Sequence, residues 1–177
     1  MEGLYASRQI TLADIQSVYE ALFLRGVTGF EAFLESLFLG ILRQKLTYPR
    51  SRVSLRMTAA NDKALMEILM RNEPYLQWIP FHRTEERAKL FLAGGRPFSE
   101  LDGGHRSTLA TVTKIRNAIA HNSPHAKREF ERKVIGTRVL LRGEKTPAGF
   151  LRSQANPRQK RFEIYMMDLA SIAVHLS

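Results

Sequence analysis

Apolar residues recur every three or four positions through the first 46 residues of the chain, which is the spacing of helices that bury one face. Thr11 precedes this pattern as a predicted N-cap, with Asp14 at the capping-box position. Gly26 and Gly29 interrupt the pattern and predict two helices or one bent helix, and Tyr48-Pro49 ends it. The apolar stripe consists of Leu12, Ile15, Val18, Tyr19, Leu22, Phe30, Phe33, Leu34, Leu37, Phe38, Ile41 and Leu42.

The middle of the chain has weaker periodicity. Residues 50–60 alternate basic and apolar side chains and predict a short strand or an arm; the basic ones are Arg50, Arg52 and Arg56. Asn61-Asp62 is predicted to cap a helix that carries Leu65, Ile68 and Leu69 and stops before Pro74. A further short helix is predicted from Thr84 to Ala93, followed by a loop from Pro97 to Gly104.

The last third of the chain alternates helix signals with breakers. Ser107 is predicted to cap a helix that ends at Asn122, with Leu109, Val112, Ile115 and Ile119 on its buried face. Ser123-Pro124 starts the next helix, which runs toward Ile135 and stops before Gly136. Thr137 to Leu141 is the best strand candidate, and residues 143–161 are predicted to form an irregular basic connector. The chain closes with an amphipathic helix from Phe162 to Leu176.

This order of elements predicts an all-α protein, an antiparallel helical bundle with small irregular or short-strand inserts, built as a single domain over residues 1–177. The sequence has no cysteine, which excludes disulfides, thiolate nucleophiles and cysteine-ligated metals. We expect no signal peptide, because no basic stretch followed by an apolar run stands at the start of the sequence. The longest apolar stretch, residues 30–42, is too short to span a bilayer. We therefore expect a cytoplasmic protein with no membrane partner.

Positive charge is concentrated in one part of the chain. The formal net charge is +10, yet residues 1–49 carry four Lys or Arg against five acids. Residues 127–161 carry eleven Lys or Arg against three acids, a local excess of eight. Concentrated cations favour polyanions through counterion release, and nucleic acid is the commonest such partner.

The sequence from Lys114 to Asn122 places an arginine, an amide and a histidine on the last turns of an otherwise apolar helix. Arg116 supplies a permanent planar cation that suits a phosphate, and His121 is the type of side chain that titrates nearest to neutral pH. Asn117 and His121 are four residues apart and share a helix face, while Arg116 is about 140° away and must swing toward them. Such a set can bind a phosphodiester and move a proton, although cations at a helix end also simply stabilise the helix dipole.

The motif from Arg116 to His121, with Asn117 in the polar position after the arginine, resembles that of HEPN-domain proteins, the higher-eukaryote-and-prokaryote nucleotide-binding superfamily. Residues 27–35 look like the early helix of this family, with its aromatic and acidic run. The stretch from Arg161 to Tyr165 and the closing helix resemble the end of its RiboL-PSP-type branch. The resemblance covers most of residues 10–176, although residues 50–105 and 137–161 match no pattern of the family.

This resemblance implies an all-α bundle that forms a homodimer around a shared cleft, and a metal-independent endoribonuclease without a cofactor, often a toxin or phage-defence effector. Arg116 would bind the scissile phosphate, His121 would act as general base or acid, and Asn117 would orient His121 or the phosphate. The products would be a 2′,3′-cyclic phosphate and a 5′-hydroxyl. RNA and, where one exists, a cognate antitoxin protein are the implied partners.

Several further residues admit two interpretations. Lys127, Arg128 and Arg132 follow the motif and are predicted to contact RNA backbone, although a solvated helical face explains them nearly as well. His121 and His125 are separated by Pro124, which disfavours a shared metal.

Two other features near and before the motif favour structural roles. Residues 103–106 contain a second His-Arg pair, interpreted as a loop leading to the Ser107 cap. Trp78 is interpreted as a core or interface anchor rather than a platform for a nucleobase.

Two function classes remain from the sequence. The first is the dimeric HEPN ribonuclease, and the second is a non-catalytic HEPN module that binds RNA or a protein partner. The intact Arg116, Asn117 and His121 favour the first. A DNA-binding helical protein is a weaker third interpretation, because no helix-turn-helix with a basic recognition helix is evident.

Overall fold

The computed structural model describes residues 2–43, 53–57, 61–70, 74–121 and 123–177. Helix accounts for most of these residues, which confirms the all-α class. The predictions made for Tyr48-Pro49, Arg50, Arg52 and Asn122 fall outside the described residues. The α-helices of the described part are α1 (Glu2–Ala6), α2 (Leu12–Leu42), α3 (Asp62–Met70), α4 (Phe81–Phe91), α5 (Gly103–Ala120), α6 (Pro124–Phe130), α7 (Pro147–Arg152) and α8 (Arg161–Leu176).

Shorter elements lie between these helices. Single 3₁₀ turns cover Ala93–Gly95, Phe98–Glu100 and Arg142–Lys145, and a π-helical turn, Glu131–Ile135, extends α6. A small antiparallel hairpin pairs β1 (Gln154–Asn156) with β2 (Gln159–Lys160). Leu55 forms an isolated bridge with Leu92, so this part of the predicted strand or arm at residues 50–60 does pair with another segment.

Helix α2 runs continuously through both glycines, so of the two predicted alternatives at Gly26 and Gly29 the structure has one helix rather than two. The Thr11 and Asp14 capping box is confirmed: the Thr11 amide donates to Asp14 Oδ2 at 2.8 Å and the Asp14 amide donates to Thr11 Oγ1 at 3.2 Å. A β-carbon at position 26 would overlap Met166 Sδ of α8, whereas one at position 29 would meet nothing within 4 Å. Gly26 therefore permits a close approach of α8.

The chain divides into two compact units. The first comprises Met1–Gly29 and Ala110–Ala170. Its core is built from buried side chains of α2 up to Gly29, of α5 from Ala110 onward, and of the α6 and α7 region. Phe130 packs edge-to-face on Phe150 with ring centroids 5.9 Å apart, and Phe23 packs similarly on Tyr165 at 6.5 Å. The candidate motif at the end of α5 lies in this unit.

The second unit comprises Phe30–Leu109 and Ser171–Ser177. Phe38 is fully buried at its centre and contacts Trp78, Phe91 and Phe98, with ring centroids 5.3 to 6.0 Å apart. Trp78 is 2% exposed and its indole N–H donates to Glu35 Oε2 at 3.0 Å. The interpretation of Trp78 as a core anchor is confirmed, since a buried ring cannot present a face to a nucleobase.

Helix α5 begins at Gly103, well before the predicted cap at Ser107, so Ser107 is not its cap. Asp102 takes this role, with its Oδ1 accepting from the His105 amide at 2.8 Å. An aspartate three residues before an unsatisfied backbone amide is a strong N-cap even when glycines follow it. The predicted loop over residues 97–104 is correspondingly shorter and contains a 3₁₀ turn. Helix α4 likewise begins at Phe81, earlier than the predicted Thr84.

Thr137 to Leu141 is not a strand. Val139 is fully exposed and Leu141 is 74% exposed, and the segment pairs with no other strand in the described part of the chain. The β-propensity of these residues does not produce a strand here, because a strand needs a neighbouring strand with which to pair. Residues 143–161 are also more ordered than the predicted irregular connector, since they contain α7 and the hairpin. Buried residues of α7 are Ala148, Gly149, Phe150 and Leu151.

Other predicted elements are confirmed. Asn61 Oδ1 accepts from the Ala64 amide at 2.9 Å and caps α3. Ser123 Oγ accepts from the Ala126 amide at 3.1 Å, with Pro124 in the first turn of α6, and Gly136 follows the π-helical turn with φ 54°. Helix α8 starts one residue before the predicted Phe162. Within the described residues, no helix combines the length and apolar character needed to cross a bilayer.

Candidate functional site

The last two turns of α5 carry the sequence motif. Leu109, Val112 and Ile115 are buried as predicted, and Ala118 joins them, whereas Ile119 is only half-buried. Packing of this face fixes the helix, because an amphipathic helix takes most of its stability from its buried side. The polar residues of the motif are left toward the surface: Arg116 and Asn117 are half-buried and His121 is exposed.

The structure brings the three motif side chains together within one chain. Arg116 Nη1 lies 3.1 Å from His121 Nε2 and donates to Asn117 Oδ1 at 3.3 Å. The backbone amide of His121 donates to the Asn117 carbonyl at 3.0 Å, so His121 closes the final turn of the helix. The long Arg116 side chain thus reaches around the helix to His121, as its sequence position requires.

The contact between Arg116 and His121 joins two side chains with different hydrogen-bonding capacities. A guanidinium can only donate hydrogen bonds, whereas an imidazole nitrogen donates or accepts according to the tautomer. As a hydrogen bond, this contact has Nε2 as its acceptor. The site therefore places a permanent cation against the imidazole at its outer edge.

Helix α6 follows the motif after the turn at Ser123 and presents a charged surface. A cleft on α6 and the π-helical turn after it is lined by His125, Arg128, Glu129, Glu131 and Arg132. All but Glu131 fall at the spacing of one helix face. Arg132 donates to Glu129 Oε1, and this hydrogen bond holds the pKa of Glu129 below its usual value. Among the described residues, no side-chain partner is found for Lys127 or Arg128, and both are exposed.

These positions agree only in part with the predicted RNA contacts. Arg128 and Arg132 line the same cleft, whereas Lys127 does not. His125 lines the cleft and had no predicted role in RNA contact; its signal in the sequence is its i, i+3, i+7 spacing with Arg128 and Arg132. Glu129 and Glu131 lower the net charge of the cleft, so it is not uniformly basic.

The second His-Arg pair of the sequence lies at residues 105 and 106, in the second unit. Each of its two side chains contacts a different set of residues. Arg106 donates to Glu85 Oε1 through Nε at 2.9 Å and Nη2 at 2.6 Å. His105 Nδ1 lies 3.3 Å from Asp102 Oδ1, and its ring lies 5.2 Å from the ring of His175. Both side chains therefore stabilise this unit rather than form a second copy of the motif.

A cluster that no sequence pattern indicates lies elsewhere in the first unit. Arg152 Nε and Nη2 each lie 3.1 Å from a carboxylate oxygen of Glu2, and Lys160 Nζ and Tyr19 Oη each lie 2.9 Å from Glu2 Oε1. These hydrogen bonds, chiefly that from Arg152, lower the pKa of Glu2 to about 2, and burial together with the Glu2 carboxylate raises the pKa of Tyr19. Because the four residues are far apart in sequence, no local motif could reveal them.

No three His, Asp or Glu side chains come close enough to hold a metal ion in the part of the chain that the structure describes. Comparison of the chain with protein-family models, with curated proteins and with solved structures gives no match. The function of the protein is therefore inferred from the geometry of the motif, from the charge that surrounds it and from the resemblance of its residues to a known motif.

Proposed function

We propose that this protein is a metal-independent endoribonuclease of the HEPN type, with Arg116, Asn117 and His121 as its catalytic residues. The observation that carries the proposal is the 3.1 Å contact between Arg116 Nη1 and His121 Nε2. A phosphate-binding cation and a proton-transfer group are thereby held together at an accessible helix end. These are the two groups that cleavage of RNA by its own 2′-hydroxyl requires.

In the proposed reaction, an RNA phosphate replaces Asn117 and His121 as the acceptor for the Arg116 guanidinium. His121 Nε2, released from Arg116, takes the proton of the ribose 2′-hydroxyl. The 2′-oxygen forms a bond to phosphorus, the bond from phosphorus to the 5′-oxygen breaks, and that oxygen leaves with a proton from an acid. The products are a 2′,3′-cyclic phosphate and a 5′-hydroxyl. Arg116 stabilises the charge that develops on the phosphoryl oxygens.

A homodimer supplies the acid within the same proposal. Two copies of the motif facing one cleft provide two imidazoles, one neutral as the base and one protonated as the acid. The exposure of His121 is compatible with such an arrangement, because a second copy can approach its open edge. A cognate antitoxin protein would act by covering this edge.

RNA binding is assigned to the surface of α6 that follows the motif. Arg128 and Lys127 have unengaged charges among the described residues, and Arg132 becomes available when it leaves Glu129. These cations would hold the phosphate backbone, while the motif supplies the chemistry.

A second candidate function, a non-catalytic HEPN module that binds RNA or a protein partner, is favoured by one specific observation. The nitrogen that would act as the base already accepts a hydrogen bond from Arg116. If RNA does not separate this pair, the motif can bind a phosphate through Arg116 but cannot remove a proton.

A cleavage assay with a fluorescent RNA that contains all four nucleotides distinguishes these two functions. Wild-type protein should cleave it in the presence of EDTA and yield cyclic phosphate ends, identified by mass spectrometry. Replacing His121 with Ala should lower the cleavage rate by about 10²–10⁴-fold, since this is the usual contribution of general acid-base catalysis. RNA affinity, measured by fluorescence anisotropy, should remain close to that of the wild type.

His82 provides the matched control, because it is an exposed histidine on α4 and belongs to the other unit. The His82→Ala variant should cleave at the wild-type rate. Cleavage that survives His121→Ala unchanged, or that appears only when Mg²⁺ is added, would refute the assigned mechanism. RNA binding by the wild type without any cleavage would favour the binding module.

A further inference from the structure

The cluster around Glu2 has the composition of an anion-binding site. A guanidinium, an ammonium and a phenolic hydroxyl converge on one carboxylate, and Arg152 grips it with two parallel N–H donors. This fork geometry recognises carboxylate and phosphate equally well. The chain itself thus supplies the anion that now occupies the site.

The carboxylate of Glu2 fits these donors imperfectly. Three of them, from Tyr19, Lys160 and Arg152 Nε, converge on Oε1, whereas Oε2 receives mainly Arg152 Nη2. Two full positive charges also face a single negative charge. A phosphate monoester has three terminal oxygens and a charge close to −2 at neutral pH, so it can distribute the same donors and balance both cations.

Two of the donors, Lys160 and Tyr19, are also held in place by contacts outside α1. Lys160 Nζ also donates to the Arg152 backbone carbonyl at 3.2 Å, and its ammonium lies 5.8 Å from the centroid of the Tyr19 ring. Tyr19 packs edge-to-face on Phe162 with ring centroids 5.6 Å apart. These contacts come from α2, α7, β2 and α8, so Lys160 and Tyr19 keep their positions without Glu2. Arg152 also contacts Tyr5 of α1.

Helix α1, which carries Glu2, is weakly attached by comparison. It has five residues, and none of them is buried. Apart from the Glu2 contacts, its main side-chain attachment is the Tyr5 ring, which lies 4.4 Å from the Arg152 guanidinium carbon. Removing α1 from this position therefore exposes little apolar surface.

We propose that Arg152, Lys160 and Tyr19 form a phosphate-binding site that Glu2 closes, and that a phosphate monoester displaces Glu2 and releases α1. The ligand chemistry is a terminal phosphate, carried either by free inorganic phosphate or by a nucleotide. This site is independent of the proposed ribonuclease activity, since none of its residues belongs to the motif.

Thermal unfolding in the presence of inorganic phosphate tests the site. In the Glu2→Gln variant, which removes the competing charge, phosphate should bind at least about tenfold more tightly than in the wild type. At tenfold its dissociation constant, phosphate should raise the Tm of this variant by about 4 °C. The double variant Glu2→Gln with Arg152→Gln should lose the response. Glu20→Gln, which removes a neighbouring acid of α2, should respond as the wild type does.

Limited proteolysis of the wild type gives a readout that does not depend on any variant. Trypsin cleaves after Arg8, which is exposed in the segment between α1 and α2. Phosphate should accelerate this cleavage if it releases α1, whereas sodium chloride at equal ionic strength should not. Adenosine 5′-monophosphate in place of inorganic phosphate, with adenosine as its control, distinguishes a nucleotide ligand from the free ion.

The proposal is overturned if phosphate leaves cleavage after Arg8 unchanged. It is also overturned if the wild type, Glu2→Gln and the double variant respond equally to phosphate, because the cluster would then be only a structural ion pair. A response to adenosine 5′-monophosphate much stronger than that to inorganic phosphate supports the site and assigns its ligand to the nucleotides.

Discussion

The two charged clusters of the first unit differ in how the chain builds them. Arg116, Asn117 and His121 lie within six consecutive residues, and one helix end brings them together. Glu2, Tyr19, Arg152 and Lys160 come from four elements separated by as many as 158 positions. The motif has one contact of 3.1 Å and one of 3.3 Å at an exposed edge, whereas the Glu2 carboxylate receives several contacts of 2.9 to 3.1 Å in a partly buried position.

This difference indicates what each cluster can do. Weak, exposed contacts at the motif can be exchanged for a substrate with little loss of free energy, which suits catalysis. The Glu2 cluster joins distant parts of the unit and adds to its stability. Variants of the two clusters, and of the residues around them, test whether chemistry belongs to the local cluster and stability to the distant one.

After His121→Ala, the largest effect is expected at Arg116. The Arg116→Ala variant should lower RNA cleavage by about 10²–10³-fold, because it removes stabilisation of the transition-state charge, and it should also weaken RNA binding. Arg116→Lys should restore only part of the activity, since a point charge does not reproduce a bidentate fork. Single-turnover cleavage rates and anisotropy titrations measure the two effects separately.

If Arg116→Ala lowered the Tm by as much as a core substitution does, the assignment of chemistry rather than stability to the motif would be wrong. The motif would then contribute mainly to stability. Thermal unfolding of the same variants decides this point, and we expect Tm changes within about 3 °C.

The next effect concerns the cations that follow the motif. A triple variant in which Ala replaces Lys127, Arg128 and Arg132 should bind RNA more weakly. The magnitude of the slope of log K against log salt should fall by about 2, because each phosphate contact with single-stranded RNA contributes about 0.7. Arg132 should contribute least, as it is paired with Glu129.

A matched triple variant replaces Lys63, Lys89 and Arg96 in the second unit, where Arg96 pairs with Glu100 as Arg132 pairs with Glu129. Its charge loss is identical, so a salt slope equal to that of the first triple variant would show that binding follows net charge alone. A wild-type slope in this control supports the α6 surface.

A smaller effect on stability is expected from the two glycines of α2. Gly29→Ala should stabilise the protein by about 0.5–1 kcal/mol, since alanine favours helix and its methyl group meets open space. Gly26→Ala places a β-carbon against Met166 and should be less stable than Gly29→Ala by about 1–3 kcal/mol. Urea unfolding measures the free energy of unfolding of both variants. Equal changes in the two variants would mean that α8 moves away freely.

The smallest effect is the pH dependence that Glu2 gives to stability. Its pKa in the folded protein is about 2, below the usual value of 4.5, so its stabilisation is complete above about pH 4.5 and is lost as the pH falls toward 2. Because the side chain is partly exposed, we expect about 1 kcal/mol at neutral pH.

Urea unfolding of the wild type and Glu2→Gln at pH 7, 5 and 4 measures this contribution. The difference in unfolding free energy should be constant from pH 7 to 5 and smaller at pH 4. A difference that grew on acidification would contradict the sign of the pKa change.

Local sequence patterns predicted a large part of the fold. Most stripe residues of α2, α3, α5 and α8 and the caps at Thr11, Asn61 and Ser123 were predicted correctly, because a helix brings residues three or four positions apart onto one face. The predicted stripe residues Leu12, Leu22, Ile68 and Val174 are exposed. For the same reason, the spacing of the motif residues was enough to place them on one helix end. Lys127 was predicted to contact RNA backbone with Arg128 and Arg132, and it does not line the cleft that these two arginines share.

Tertiary structure decided the features that depend on a partner segment. Thr137 to Leu141 has the composition of a strand but finds no neighbouring strand in the described chain, whereas the hairpin formed where turn residues joined two short polar segments. Gly26 leaves room for Met166 of α8, and Glu2 meets Arg152 and Lys160 only through folding. Sequence determines what each segment can form by itself, and packing against distant residues determines which of those possibilities is stable.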